Sequence, residues 1–171
     1  MEELKELIRE IPDFPKRGIL FYDITTLLRD AEGFRQAIEC MVKPCEGRGI
    51  DIVVGIESRG FILGAAVADR LGVGFVPVRK PGKLPGNTVS VSYALEYGTD
   101  SLEMHEDAIS EENRVLIVDD LLATGGTAKA TRSLVNKLGG EIVSYAFLIE
   151  LMELKGSDLL NTKSVFSIIK Y

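Results

Sequence analysis

The sequence predicts one α/β domain, spanning residues 1–171, that is built around a parallel β-sheet. A chain of this length can bury a core of its own. Short apolar runs have the length and composition of strands buried on both faces, and they lie at residues 51–56, 73–79, 114–120 and 141–151. Segments with helical periodicity at 61–72 and 127–140 alternate with these runs. This alternation is typical of strand–helix–strand units.

The N-terminal residues 1–30 precede this alternation and are expected to form a hood-like segment. Apolar residues at helical spacing predict a helix over residues 2–10. The prolines and glycine of 12–18 predict a loop. A second amphipathic helix is predicted over 31–42, where a proline soon follows.

Residues 79–105 are expected to be a flexible loop and hairpin inserted between two strands of the sheet. The first part, RKPGKLPG, is basic and is interrupted by proline and glycine, which favours movement. The segments 90–98 and 101–105 have the polar character of a hairpin.

The charge distribution favours a small anionic ligand over a polymer. The net charge is −6, which disfavours general nucleic-acid binding. Residues 70–95 nevertheless lack Asp and Glu while containing four basic residues, Arg70, Arg79, Lys80 and Lys83. No apolar run is long enough to span a bilayer and the start does not resemble a signal peptide, so we expect a cytoplasmic protein without a membrane partner.

The most informative segment is VLIVDDLLATGGTA, residues 115–128, where an apolar strand leads through two acids into a glycine-rich loop and a helix. Ligands of open α/β sheets bind at the carboxyl ends of the strands. Gly125 and Gly126 allow a sharp turn and close backbone approach to an anion, which the first N–H groups of the next helix would bind. Asp119 and Asp120 are suited to accept hydrogen bonds from the two hydroxyls of a ribose. The alternative, a strand end with two solvated acids, leaves the order of acids, threonines and glycines unexplained.

This segment resembles the phosphoribosyl pyrophosphate motif of type I phosphoribosyltransferases. Further segments resemble the adenine branch of that family, and they are PDFPKRGILFYDIT (12–25), GIESRGFILG (55–64), RKPGKLPG (79–86), SYALEYG (92–98) and IELMELKG (149–156). The resemblance implies a type I phosphoribosyltransferase fold with an N-terminal hood and a flexible loop. It also implies the transfer of the phosphoribosyl group to adenine, giving AMP and pyrophosphate.

The resemblance also assigns site residues. The phosphoribosyl pyrophosphate site would comprise Asp119, Asp120, Ala123, Thr124, Gly125, Gly126, Thr127, Ser58, Arg59, Arg79, Lys80 and Lys83. The adenine site would comprise Leu20, Phe21, Tyr22 and Leu121, with Glu96 toward N7 of the base, and Glu96, Asp119 and Asp120 would be catalytic. From the residues alone, other interpretations stay open: Ser58 as a helix N-cap beside a solvated Arg59, Phe21 as a core residue, and Glu96 as an exposed hairpin residue.

The resemblance further implies Mg²⁺ held mainly by the substrate pyrophosphate, rather than by a cage of protein ligands, and a homodimer. Two other functions remain open at this point. One is phosphoribosyl transfer to another purine base, and the other is a non-catalytic regulator that senses phosphoribosyl pyrophosphate.

Overall fold

The computed structural model describes residues 2–94 and 98–171, and its helices and strands alternate as the sequence predicts. Within these residues the helices are α1 (Glu2–Glu6), α2 (Thr25–Arg29), α3 (Ala31–Val42), α4 (Arg59–Leu71), α5 (Gly126–Lys137) and α6 (Gly156–Leu160). The strands are β1 (Arg9–Pro12), β2 (Leu20–Asp23), β3 (Ile52–Ile56), β4 (Gly74–Val78), β5 (Thr88–Ala94), β6 (Thr99–His105), β7 (Arg114–Leu122), β8 (Glu141–Glu150) and β9 (Val165–Lys170). No helix of these residues has both the length and the apolar character that a membrane span requires.

The central sheet has five strands in the order β4-β3-β7-β8-β9, and every neighbouring pair is parallel. The predicted parallel sheet is therefore confirmed. The edge strand β9 was not assigned in the sequence. In the register, Val54 lies opposite both Val76 and Ile117, so apolar side chains follow one another across the sheet.

Both faces of the sheet are covered, as the continuous apolar strands require. The core on one face brings side chains of α3 and α4 together with Leu4, Ile24 and Leu27 of the N-terminal segment. The core on the other face joins α5 to the β5–β6 hairpin, from which Leu102 and Met104 are fully buried.

The N-terminal segment departs from the predicted long helix. α1 ends at Glu6, and Arg9–Pro12 instead forms a strand that pairs antiparallel with β2. Arg9 lies opposite Asp23 in this ladder, and its Nη2 is 2.5 Å from the Asp23 carboxylate. These contacts with a distant part of the chain override the local helical spacing.

The predicted hairpin is confirmed as β5–β6, and it is tied to the sheet. The backbone N–H of Arg79 donates to the Glu103 carbonyl at 3.0 Å, and the Glu103 N–H donates back at 2.7 Å. The hairpin thus continues from the carboxyl end of β4 and packs on α5. The mobility expected for 79–105 stays a prediction.

Candidate active site

A cleft of about 390 Å³ opens at the carboxyl ends of β3 and β7, next to the start of α5. Its wall includes the predicted acid pair, the glycine-rich loop, three residues of the β3–α4 turn and one basic residue of the inserted loop. The predicted residues that line it are Ser58, Arg59, Lys80, Asp119, Asp120, Leu121, Ala123, Thr124, Gly125, Gly126 and Thr127. The topology therefore collects groups from three separate segments into one site.

The loop before α5 has the geometry of an anion cradle. Gly125 has a φ of +83° and precedes the first helical residue, Gly126, without a side-chain cap. The first N–H groups of a helix have no intrahelical acceptor, so those of α5 are free to bind an anion. The left-handed turn lies at Gly125, whereas Gly126 does not have a positive φ.

The acid pair lies within β7, since the strand continues for two residues beyond Asp120. Asp120 is 6% exposed, and its Oδ2 lies 2.9 Å from Nη2 of Arg59. That contact is an ion pair without hydrogen-bond geometry, so Oδ2 accepts no hydrogen bond from the residues that the structure describes. Oδ1 of Asp119 accepts a hydrogen bond from the Asp120 N–H at 2.9 Å.

Both carboxyl groups favour their protonated form more than an ordinary aspartate does. Burial, followed by the neighbouring negative charge of Asp120, raises the pKa of Asp119 well above its usual value. Burial also raises the pKa of Asp120, while the Arg59 guanidinium acts in the opposite direction. The pair therefore forms a desolvated acidic site that a hydrogen-bond donor would stabilise.

The turn between β3 and α4 carries Glu57, Ser58 and Arg59, and the peptide bond between Glu57 and Ser58 is cis. Ser58 occupies the N-cap position of α4 but makes no side-chain capping hydrogen bond. The Arg59 side chain is only 29% exposed because it reaches Asp120. The missing capping hydrogen bond of Ser58 and the contact of Arg59 with Asp120 argue against the capping serine and solvated arginine that the sequence left open.

Gly60 allows α4 to approach the acid pair closely. A Cβ atom at this position would lie 2.7 Å from Oδ1 of Asp119 and 3.2 Å from the Val118 carbonyl oxygen. Any larger residue would push α4 and the Arg59 backbone away from β7.

The three basic residues assigned in the inserted loop are placed differently. Lys80 lines the cleft, and its ammonium donates to the Asp100 carboxylate and, at 3.5 Å, to the Tyr93 hydroxyl. Burial lowers the pKa of Lys80, but the hydrogen bond to Asp100 and the contacts with Tyr93 outweigh it and raise that pKa.

Arg79 and Lys83 do not line the cleft. Nε of Arg79 donates to Glu57 Oε2 at 3.0 Å, and its Nη1 donates to the Lys83 carbonyl at 3.2 Å. The Arg79 charge is thus compensated by the β3–α4 turn, while Lys83 is exposed.

The predicted base-binding residues of β2 do not line the cleft, but Phe21 and Tyr22 contact Arg59, which does. Its guanidinium lies 5.0 Å from the centre of the Phe21 ring and 3.5 Å from the Tyr22 carbonyl oxygen, to which Nη1 donates. Leu20 is 41% exposed. Leu121 lies in the cleft wall, and Glu96 lies outside the described residues.

Several residues of the site were not found in the sequence. Tyr93 lines the cleft, and Asp100 holds the Lys80 ammonium. Glu57, which the family resemblance placed in the pyrophosphate loop together with Ser58, Arg59 and Gly60, also lines the cleft. Gly156 packs directly against the backbone of the glycine-rich loop at Ala123 and Gly125. These residues act through contacts between distant segments. Tyr93 and Gly156 lie in the family-like segments 92–98 and 149–156, but nothing in those segments indicated these contacts.

Comparison with known proteins identifies the family of this chain. The model of the phosphoribosyl transferase domain matches residues 27–171. An adenine phosphoribosyltransferase of Acidobacterium capsulatum is 58% identical over 170 residues, which cover 99% of this chain and 94% of the relative.

Two solved structures are similar over nearly their whole length. The adenine phosphoribosyltransferase of Thermoanaerobacter pseudethanolicus superposes with a TM-score of 0.97 at 58% identity and covers 99% of both chains. The enzyme of Saccharomyces cerevisiae, complexed with an imino-altritol bisphosphate and adenine, has a TM-score of 0.92 at 42% identity and covers 98% of this chain and 97% of its own. Because the family model and relatives of this identity extend over most of the sequence, the chain belongs to the phosphoribosyl transferase family and, within it, to the adenine phosphoribosyltransferases.

Proposed function

We propose that this chain transfers the 5-phosphoribosyl group from phosphoribosyl pyrophosphate to adenine, giving AMP and pyrophosphate, and so serves purine salvage. The observation that carries the proposal is the meeting, in one cleft, of a helix N-terminus for a phosphate, two carboxylates for a ribose and two cationic side chains for a leaving group. The yeast relative, whose structure contains adenine, supports the choice of base.

The 5′-phosphate binds the loop Ala123–Thr127. The N–H groups at the start of α5 donate to its oxygens, and the hydroxyls of Thr124 and Thr127 add donors from the same cleft wall. Asp119 and Asp120 accept hydrogen bonds from the 2′- and 3′-hydroxyls. The buried Oδ2 of Asp120, which lacks a hydrogen bond among the described residues, supports this role.

The pyrophosphate binds between the β3–α4 turn and the inserted loop. Ser58, Arg59 and Lys80 line this side of the cleft and supply a hydroxyl donor and two positive charges. Arg79 and Lys83 join them only if residues 79–87 move toward the cleft, because both lie outside its wall without a ligand. Such a closure would also exclude water from the reacting centre.

Adenine stacks between Phe21 and Leu121, and backbone groups of Leu20 and Tyr22 bind its edge. The contact between the Phe21 ring and Arg59 supports this placement, since it joins the hood to the pyrophosphate side of the site. Glu96 interacts with the N7 side of the base, a role that rests on the family resemblance alone.

The reaction forms a bond from N9 of adenine to the anomeric carbon of the ribose as the bond to pyrophosphate breaks. The electron pair of the broken bond leaves on the pyrophosphate oxygen, and the proton on N9 of the base passes to water or to the departing pyrophosphate. Positive charge that develops on the sugar is stabilised by the nearby carboxylates, and negative charge on the leaving group by Arg59 and Lys80. Positioning and charge compensation are thus the protein's main contributions.

Mg²⁺ fits the chemistry of this cleft when it arrives with the substrate. No group of three or more His, Cys, Asp or Glu side chains is arranged as a metal site among residues 2–94 and 98–171. Asp119 and Asp120 are the hard oxygen ligands available beside the ribose, and Mg²⁺ commonly retains waters and substrate phosphates as its other ligands. When bound, the ion would neutralise charge on the pyrophosphate.

The enzyme acts as a homodimer in the cytoplasm. Exposed large apolar side chains such as Phe14 and Ile62, 49% and 47% exposed, support an association between copies. The two free cysteines, Cys40 and Cys45, support a reducing compartment. Light scattering at micromolar concentration tests the dimer, and an active monomer would contradict it.

The direct test is a product assay. The protein is incubated with phosphoribosyl pyrophosphate, Mg²⁺ and adenine, or with hypoxanthine, guanine or xanthine in place of adenine. We expect AMP and pyrophosphate in equal amounts, and little product from the other bases. Preferred use of another base would reassign the substrate, and phosphoribosyl pyrophosphate binding without any turnover would favour a regulator. Asp120→Asn is the inactive control.

A further inference from the structure

The phosphate loop touches a second glycine from a distant segment. A Cβ atom added at Gly125 would lie 2.5 Å from the Gly156 carbonyl oxygen. One added at Gly156 would lie 2.2 Å from the Ala123 carbonyl oxygen and 2.9 Å from the Gly125 nitrogen. The two backbones therefore pack directly against each other, with room for hydrogen atoms alone between them.

The segment that carries Gly156 is anchored to the rest of the fold on both sides. Before it, the N–H of Leu151 donates to the Leu122 carbonyl at 2.9 Å, which ties the segment to the end of β7. After it, Leu160 is buried under α5, and Arg132 Nη1 of α5 donates to the Leu160 carbonyl at 2.8 Å. Gly156 itself is buried.

Side chains contribute little to holding the phosphate loop in place. The turn at Gly125 has no side-chain cap, and within the described residues we find no side-chain hydrogen bond to Ala123, Thr124 or Gly126. Besides the hydrogen bond from the Lys129 N–H to the Gly125 carbonyl at 2.9 Å, the packing against Gly156 therefore holds the backbone of this loop. A rigid contact of this kind keeps binding groups at the distance that their ligand needs.

We propose that Gly156 is a positioning residue that holds the Ala123–Gly125 backbone where it binds the 5′-phosphate of the substrate. The inference rests on the proposed function, because it requires the loop to bind that phosphate. It predicts that a methyl group at Gly156, which never touches the ligand, selectively weakens ligands that carry a 5′-phosphate. To reach ordinary contact distance the Ala123 carbonyl would have to move by about 1 Å, a displacement that can cost up to about a hundredfold in a positioned site.

The test compares Gly156→Ala with Gly140→Ala by calorimetric titration. A Cβ at Gly140 would also be crowded, at 2.8 Å from Val135 Cγ1, but it lies at the amino end of β8, away from the cleft. The probes are ribose 5-phosphate and AMP, which carry the phosphate, and inorganic pyrophosphate, which binds the other side of the cleft. For Gly156→Ala we expect the Kd of the first two to rise about tenfold or more and that of pyrophosphate to change less than about twofold. Gly140→Ala should leave all three unchanged although it lowers the melting temperature.

A milder variant keeps the test decisive if Gly156→Ala does not fold. Arg132→Met removes the hydrogen bond to Leu160 without adding atoms next to the loop, and it should weaken ribose 5-phosphate in the same selective way but to a smaller extent. Parent-like affinity for ribose 5-phosphate in a folded Gly156→Ala protein would overturn this inference but not the proposed function. Equal weakening of all three probes would have the same consequence. If Gly156→Ala does not fold, parent-like affinity in Arg132→Met has the same consequence. A parent protein that itself fails to bind ribose 5-phosphate would overturn the proposed function as well.

Discussion

Replacing Arg59 with methionine should destabilise the protein by leaving the Asp120 carboxylate buried without its counter-ion. Loss of one partner of a buried ion pair typically costs about 3–5 kcal/mol. Because the Arg59 side chain is 29% exposed and water compensates part of the charge, we expect about 2 kcal/mol. In a chain of this size that corresponds to a fall in melting temperature of roughly 4–8 °C.

The loss should depend on pH in a defined direction. Burial already raises the pKa of Asp120, and removing the guanidinium that opposes this effect raises that pKa further. At low pH the carboxyl group is neutral in both proteins, so their stability difference is small. As the pH rises and Asp120 ionises, the variant carries the larger penalty, and the difference in melting temperature should grow until ionisation is complete.

Differential scanning fluorimetry between pH 4 and pH 8 measures this effect, with two further variants as controls. Arg59→Met/Asp120→Asn should recover most of the melting temperature but not the activity, because the unpaired charge is gone while both site residues are altered. Arg70→Met breaks a half-exposed pair of similar length, 2.8 Å to Glu39, and should shift the melting temperature by about 2 °C or less. A difference between Arg59→Met and the parent that does not vary with pH, or no recovery in the double variant, would refute this reasoning.

Three other variants or substrates give independent predictions. Asp119→Asn should raise the melting temperature at pH 7. The reason is that burial and the charge of Asp120 raise the pKa of the Asp119 carboxyl group, so its ionised form destabilises the folded protein. This gain should vanish as the pH falls below about 4, where the aspartate of the unfolded chain is itself protonated. The same change should lower kcat/KM about tenfold to a hundredfold through the lost charge-assisted hydrogen bond, and parent-like activity would exclude Asp119 from the ribose site. Lys83→Ala should change the free energy of unfolding by no more than about 0.5 kcal/mol in a thermal melt, since the side chain is exposed. It should nevertheless reduce kcat/KM for phosphoribosyl pyrophosphate. Unchanged kinetics would mean that Lys83 is only a solvated charge. The kcat/KM for adenine should exceed that for hypoxanthine by about a hundredfold or more, because a site shaped for a 6-amino group leaves a 6-oxo base with mismatched hydrogen-bond partners. Comparable values in an assay of AMP and IMP formation would contradict the base assignment.

The sheet and its helices were predictable because each strand is a continuous apolar run and each helix has its own periodicity. β9 was not assigned, since VFSIIK interrupts its apolar residues with a serine and follows no recognisable helix. The end of α1 was misplaced because local spacing cannot reveal that Arg9 pairs with Asp23 across the β1–β2 ladder.

The residues of the candidate site were also predictable only in part. The acids and the phosphate loop are consecutive in the chain, so one segment of the sequence was enough to predict their chemistry. Asp100 and Gly156 belong to the site only through contacts with Lys80 and the loop at Gly125, and such contacts depend on the tertiary fold. A backbone–backbone contact between two glycines has no side-chain pattern that a sequence could display.

The phosphate loop itself can be tested by comparing AMP with adenosine, which lacks the phosphate. Gly126→Val is the informative variant, because the nearest atom to an added Cβ is Tyr93 Cδ2 at an ordinary 3.6 Å, so the fold can accept a side chain that stands in the cleft. In calorimetric titration the parent should bind AMP much more tightly than adenosine, and the valine variant should bind AMP no better than it binds adenosine. Parent-like affinity of Gly126→Val for AMP would contradict a 5′-phosphate site at residues 123–127.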